Sequence, residues 1–235
     1  MFNPANIYCF VALAAAVVVS AVFTVKRASG ANYKNLILKT FSSVLFIMTG
    51  CASFLANHRP EHSLLIIIGL VFGLLGDMFL DMKYVYPQDE IANTFAGFGA
   101  FIIGHVFYIL FLFIKYDISI AHLITAIIVG IVAGIAIYAT PKLMKLDYGV
   151  FRLISSCYAA LLVFITVYAV LMAIDGGLTS QWLMGIGLVL FLISDLILSQ
   201  IYFGKDKNTK LNAGLNHAFY YAAQILIAFS IYFIS

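Results

Sequence analysis

The sequence predicts an all-α protein, an integral membrane bundle of eight transmembrane helices with both termini outside. Three observations predict it. Of 235 residues, 64% are hydrophobic and 10% charged, and the mean hydropathy is +1.06, whereas a soluble domain carries roughly 25% charge. Apolar runs of about 20 residues, the length that crosses a bilayer, occur near 7–25, 36–56, 64–82, 95–114, 120–140, 151–174, 182–203 and 212–234. The basic residues are also one-sided. With the N-terminus outside, Lys26, Arg27, Lys34, Lys39, Lys83, Lys142, Lys145, Arg152, Lys205, Lys207 and Lys210 fall inside, and Arg59 and Lys115 outside, as the positive-inside rule requires. Little chain is left between the runs, so residues 1–235 are expected to form a single transmembrane domain.

In chain order, the first run lacks a preceding basic residue and is followed by Lys26 and Arg27, which marks a retained anchor rather than a cleaved signal. The second begins with Lys39, read either as a lysine snorkelling to the interface or as a cation for a phosphate. The third carries Gly69, Gly73 and Gly76, a face that admits a close neighbour, then Asp77 and Asp81 on one helix face. Asp81 lies at the cytoplasmic boundary and is expected to be solvated, whereas Asp77 is one turn deeper. The fourth run holds His105 and Tyr108, and the fifth ends at Thr140-Pro141. The sixth carries Ser155, Ser156 and Tyr158, the seventh starts at Trp182 and reaches Ser194-Asp195, and the eighth opens with Asn216, His217, Tyr220, Tyr221 and Gln224. Asn216, Tyr220 and Gln224 share one stripe, which should face the bundle interior because polar groups facing lipid are costly. Cys9, Cys51 and Cys157 have no metal-binding spacing and read as small packing residues.

Two stretches organise the chain. Gly69–Leu80 and Gly187–Leu198 align without gaps at six of twelve positions, including Asp77 and Asp195. His105-Val-Phe-Tyr108 then matches His217-Ala-Phe-Tyr220. The pattern is that of a four-helix unit duplicated in parallel, residues 1–115 and 116–235, with Asp77 and Asp195 as a facing pair. Nearly all the costly polar groups fall in the cytoplasmic half, which describes one cavity open to that side.

Two carboxylic acids in a low-dielectric site do not readily both ionise, so one serves as acid and the other as base. Such a pair suits acid-catalysed cleavage through an oxocarbenium-like centre. No Gly-x-Ser-x-Gly elbow and no His-Glu-x-x-His helix occurs, which disfavours a serine lipase or a zincin. No basic tract with interleaved aromatics suggests nucleic acid.

The Gly-Leu-x-Phe-x-x-x-Gly-Asp stretch ending at Asp77, Gly-His-x-x-Tyr at 104–108, Ser194-Asp195 and Tyr221-Ala-Ala-Gln224, in this order, resemble the lysoplasmalogenase (YhhN) family. The resemblance covers nearly the whole chain. It implies hydrolysis of the vinyl ether of a lysoplasmalogen to a fatty aldehyde and glycerophosphoethanolamine or glycerophosphocholine. Separately, no cofactor is expected, and no residue is assigned as a metal ligand. By motif, Asp77, His105, Tyr108, Asp195, Tyr221, Gln224 and Lys39 carry over. Thr40 stands where proline is usual after that lysine, and Gly73 stands where serine is usual.

Together these readings make Asp77, Asp195, His105, Tyr221 and Gln224 the candidate catalytic residues. Lys39, Tyr108, Tyr158, Asn216 and Tyr220 are the candidate substrate-binding ones. The expected partners are a lysophospholipid and membrane lipids, and the short loops suggest a bacterial plasma membrane. Two other classes fit the same residues. A secondary transporter would also show a parallel repeat with intramembrane acids, and a metal-dependent lipid hydrolase could use Asp77, His105, Asp195 and His217 as ligands.

Overall fold

The computed structural model describes residues 4–28, 33–141, 143 and 145–235. Lys142, counted above among the inside cations, lies outside the described residues. Eight α-helices follow one another: α1 (Pro4–Ala28), α2 (Tyr33–Ala56), α3 (Leu64–Met82), α4 (Glu90–Lys115), α5 (Ile120–Ala139), α6 (Arg152–Gly176), α7 (Thr179–Phe203) and α8 (Lys210–Ser230). Each apolar run of the sequence became one helix. Helices satisfy every internal backbone N–H and C=O within the segment, so they suit chain that has no water to bond.

Local signals set several ends. Ser119 and Thr209 cap α5 and α8 by accepting from the backbone N–H of His122 and Asn212, satisfying donors that a helix start leaves free. Gly177, at φ +66°, terminates α6 in the left-handed region that glycine enters without strain. A single turn at Pro87–Asp89 leads into α4.

Seven of the helices are long and apolar enough to cross a membrane, which makes the chain a multi-pass membrane protein. The eighth, α8, expected from the sequence as a span, is not among these seven. Its first half carries Lys210, Asn212, Asn216, His217 and Tyr220. Lys210 is exposed at the helix start, and the deeper groups are tolerated because α8 packs against α7, α1, α2 and α3. Asn216, His217, Tyr220, Tyr221 and Gln224 are all buried.

Helices adjacent in sequence pack as antiparallel pairs, α1 on α2, α3 on α4, α5 on α6 and α7 on α8. Between pairs, α2 lies against α3 and α8, while α6 lies against α7 and α4. Outermost is α5, which leans on α6 and turns Ile120, Ile124, Ile128, Ile131 and Ile135 outward. The α5–α6 contact depends on the absence of a side chain. A Cβ on Gly130 would lie 2.7 Å from the carbonyl oxygen of Ala160, and one turn away Ser156 Oγ donates to Gly134 O at 2.7 Å. Of the cysteines, Cys9 is buried against Ser53 as expected of a packing residue, whereas Cys51 and Cys157 are exposed on the outer surface.

Gly130→Val should force α5 away from α6. Overpacking of this kind costs about 1–3 kcal/mol, so the Tm of the detergent-purified protein should fall. An unchanged Tm would show that the two backbones need not approach this closely.

Candidate active site

The C-terminal ends of α1, α3 and α7 and the N-terminal halves of α2 and α8 meet around a cavity of about 300 Å³. Asp77, Asp195, Lys39, Asn216 and Tyr220 line it, joined by Arg27, Asp81, Ser194 and His217. The two aspartates singled out in sequence therefore share one chamber.

Asp77 and Asp81 project from one face of α3, and Lys39 of α2 reaches between them. Its Nζ lies 3.2 Å from Asp77 Oδ1 and 3.3 Å from Asp81 Oδ1. Arg27 of α1 adds a second cation, 3.5 Å from Asp81 Oδ1. Lys39, Asp77 and Asp81 are buried and Arg27 is mostly so, so these charges depend on their partners more than on water. The second oxygen of Asp77 accepts from Ser43 Oγ at 2.6 Å and from Tyr220 OH at 2.8 Å. An ammonium and two hydroxyl donors form the surroundings of an ionised carboxylate.

Asp195 is held differently. Its Oδ2 accepts from Tyr158 OH at 2.5 Å, and among the described residues no lysine or arginine pairs with it. A carboxyl group buried beside a hydroxyl and no cation is much cheaper to keep as the neutral acid.

Behind Asp77 runs a line of hydrogen bonds. Tyr108 OH donates to Gln224 Oε1 at 3.2 Å, Gln224 Nε2 donates to Tyr220 OH at 3.1 Å, and Tyr220 donates to Asp77. Gly73 makes room for that amide, because a Cβ there would lie 2.5 Å from Gln224 Nε2. Glycine at 73 is thus fitted to this position of Gln224. Tyr221 OH sits 3.3 Å from the carbonyl oxygen of Lys39 and 3.4 Å from Ser43 Oγ, bracing α8 against α2. Asn216 Nδ2 donates to Ser194 O at 2.8 Å and to Ser194 Oγ at 2.9 Å, which locks α8 to α7 beside Asp195.

The structure does not bring every candidate to the cavity wall. Tyr108, Tyr221 and Gln224 act from behind it, and His105 is set apart. Its Nδ1 lies 2.7 Å from Phe101 O, so that nitrogen carries the hydrogen, and its ring packs edge-on against Phe191 at 4.8 Å. Its Nε2 is buried with no hydrogen-bond partner among the described residues. The equivalent His217 does line the cavity, against the Phe23 ring. Considered as metal ligands, Asp77, His105, Asp195 and His217 are not gathered. Among the described residues no three His, Cys, Asp or Glu groups stand close enough to share an ion.

Two functional-looking groups were missed in sequence. Asp81, expected to be solvated, is buried at 5% exposure and ion-paired; Arg27, counted only as an orienting charge, reaches into the same cluster. The i, i+4 spacing of Asp77 and Asp81 was the available signal. Lys39 is neither snorkelling nor free for a phosphate, since both aspartates occupy it.

A second cavity, of about 360 Å³, lies on the other side of Asp195. Asp195, Leu80, Phe101, Leu198 and Tyr202 border both chambers, and Tyr158 lines the second.

The model of the YhhN family matches residues 34–231, from α2 through the end of α8. No curated protein and no solved structure matches the chain.

Lys39→Met should leave Asp77 and Asp81 side by side without their shared cation. Breaking a buried pair costs about 3–5 kcal/mol, so the Tm should drop sharply, and adding Asp81→Asn should recover part of it. A Tm unaffected by Lys39→Met would mean that the cluster does not hold the site together.

Proposed function

The chain belongs to the YhhN family, and from that premise and the site's geometry we propose that it cleaves the vinyl ether of lysoplasmalogens. The products are a fatty aldehyde and glycerophosphoethanolamine or glycerophosphocholine. The family is associated with hydrolase activity. The observation that carries the reading is the unequal pair in one cavity, Asp77 held by a cation and two hydroxyls and Asp195 by a hydroxyl alone.

Vinyl-ether hydrolysis uses that inequality. Asp195, as the neutral acid, gives its proton to the carbon β to the ether oxygen, and the positive charge appears on the carbon bearing that oxygen. The ionised Asp77 stabilises this oxocarbenium ion and takes a proton from the water that adds to it. The hemiacetal then loses its hydroxyl proton to Asp195, the bond to the glycerol oxygen breaks, and Asp77 returns a proton to that oxygen. Both carboxyl groups finish as they began. Lys39, Ser43 and Tyr220 keep Asp77 ionised and aimed, and Tyr108 and Gln224 hold Tyr220 in place.

In this reading α8 completes the bundle as an eighth span with both termini outside, in a bacterial plasma membrane, and the cavity opens to the cytoplasm. Arg27 and Lys210, at its lining, supply cations for the head-group phosphate. Residues 1–235 act as one domain. The duplication is supported by the packing order, in which α2 meets α3 and α8 as α6 meets α7 and α4.

Turnover in deuterated water should place one deuterium on the aldehyde carbon next to the carbonyl, read by mass spectrometry. Product without deuterium there would sink the protonation step. Asp77→Asn and Asp195→Asn should each lower kcat by on the order of 10²–10⁴-fold with the protein still monodisperse.

A further inference from the structure

Asp195 stands between two chambers of opposite character. The first contains Arg27, Lys39 and Lys210 together with Asp77, Asp81 and Asn216. The second is walled by Phe98, Ala159, Leu162, Leu192, Ile193 and Phe203, and among the described residues no lysine or arginine lines it. At the border it shares with the first stands the Tyr158–Asp195 hydrogen bond.

We propose that the second chamber holds the hydrocarbon chain of a single-chain lipid whose head group occupies the first, so that the bond joining head to chain rests at Asp195. This rests on the hydrolase reading above and adds the direction in which the substrate lies. Three observations carry it. Charge sorts the two ends, because Arg27 and Lys210 stand at the first chamber for a phosphate, and no described lysine or arginine lines the second. Size admits a chain. At about 360 Å³ the chamber falls within the roughly 300–1,000 Å³ range of ligand pockets, room for a stretch of hydrocarbon. Position then follows from chemistry, since a vinyl ether is the point at which a lysolipid changes from polar glycerol to apolar chain. The carbon to be protonated is the second of the chain, one bond beyond the carbon that bears the oxygen. Tyr158, donating to Asp195 from the wall of the second chamber, holds the acid at that point.

The chamber can be tested without relying on turnover. An uncleavable saturated-ether lysophospholipid carrying a diazirine in its chain would be irradiated with the unmodified protein in detergent. Labelling should fall on residues 146–162 and 192–203 and should be competed by excess unlabelled ether lysolipid. Label confined to α1 and α8, or label that the competitor leaves unchanged as bulk lipid would, overturns the proposal. A second arm uses turnover. Ala159→Phe narrows the chamber, and the ratio of kcat/KM for an octadecenyl over an octenyl lysoplasmalogen should fall about ten-fold; an unchanged ratio overturns the proposal. The two readings separate cleanly. Competed labelling at α6 and α7 in a protein that cleaves no vinyl ether refutes the hydrolase and keeps the lipid-chain chamber, whereas cleavage with labelling elsewhere does the reverse.

Discussion

A charge taken out of water must be met by other charges or by hydrogen bonds, and in this bundle the cation of Lys39 meets that demand for two carboxylates at once. Its position between Asp77 and Asp81 fixes α2 against α3. Arg27 extends the cluster to α1, and the hydroxyl of Tyr220 extends it to α8. Four helices are therefore registered by one group of buried charges. Hydrophobic burial alone could not set that register, because lipid tails are as apolar as the helix faces.

The cluster also explains why two aspartates in similar sequence contexts end with different partners. Asp77 has Lys39 across from it on α2, while the corresponding neighbour of Asp195 is Tyr158 on α6. A duplicated scaffold would supply two carboxyl groups in one chamber, and a lysine in one half against a tyrosine in the other makes them unlike. Unlike carboxyl groups are what a reaction with separate protonation and cation-stabilising roles requires.

The helices were legible because each must carry an uninterrupted apolar run, and α3 matches the run read from sequence, 64–82. Asp77, Asp195 and Lys39 were legible through their cost in such runs. Arg27 was not, since a cation at a helix end fits the orientation rule whether or not it folds back onto Asp81. Asp81 was misjudged for the same reason; its depth depends on α1 closing over it. His105 shows the opposite error. Its spacing matched His217, yet sequence spacing does not tell which face of α4 turns to the cavity, and Phe101 and Phe191 hold the ring away from it. The second chamber had no sequence signal, because its walls come from α3, α4, α5, α6 and α7 and consist of residues found throughout the bundle.

The contact between position 73 and Gln224 has a consequence for how such a chain can change. A side chain at 73 and the amide of Gln224 compete for one volume, so neither residue has a fixed worth of its own. Adding a hydroxymethyl group at 73 would first displace the amide that steadies Tyr220, and the gain or loss would depend on where Gln224 then settled. The two sites form an epistatic pair, and the order in which they are substituted decides whether an intermediate sequence keeps the hydrogen bonds that lead to Asp77.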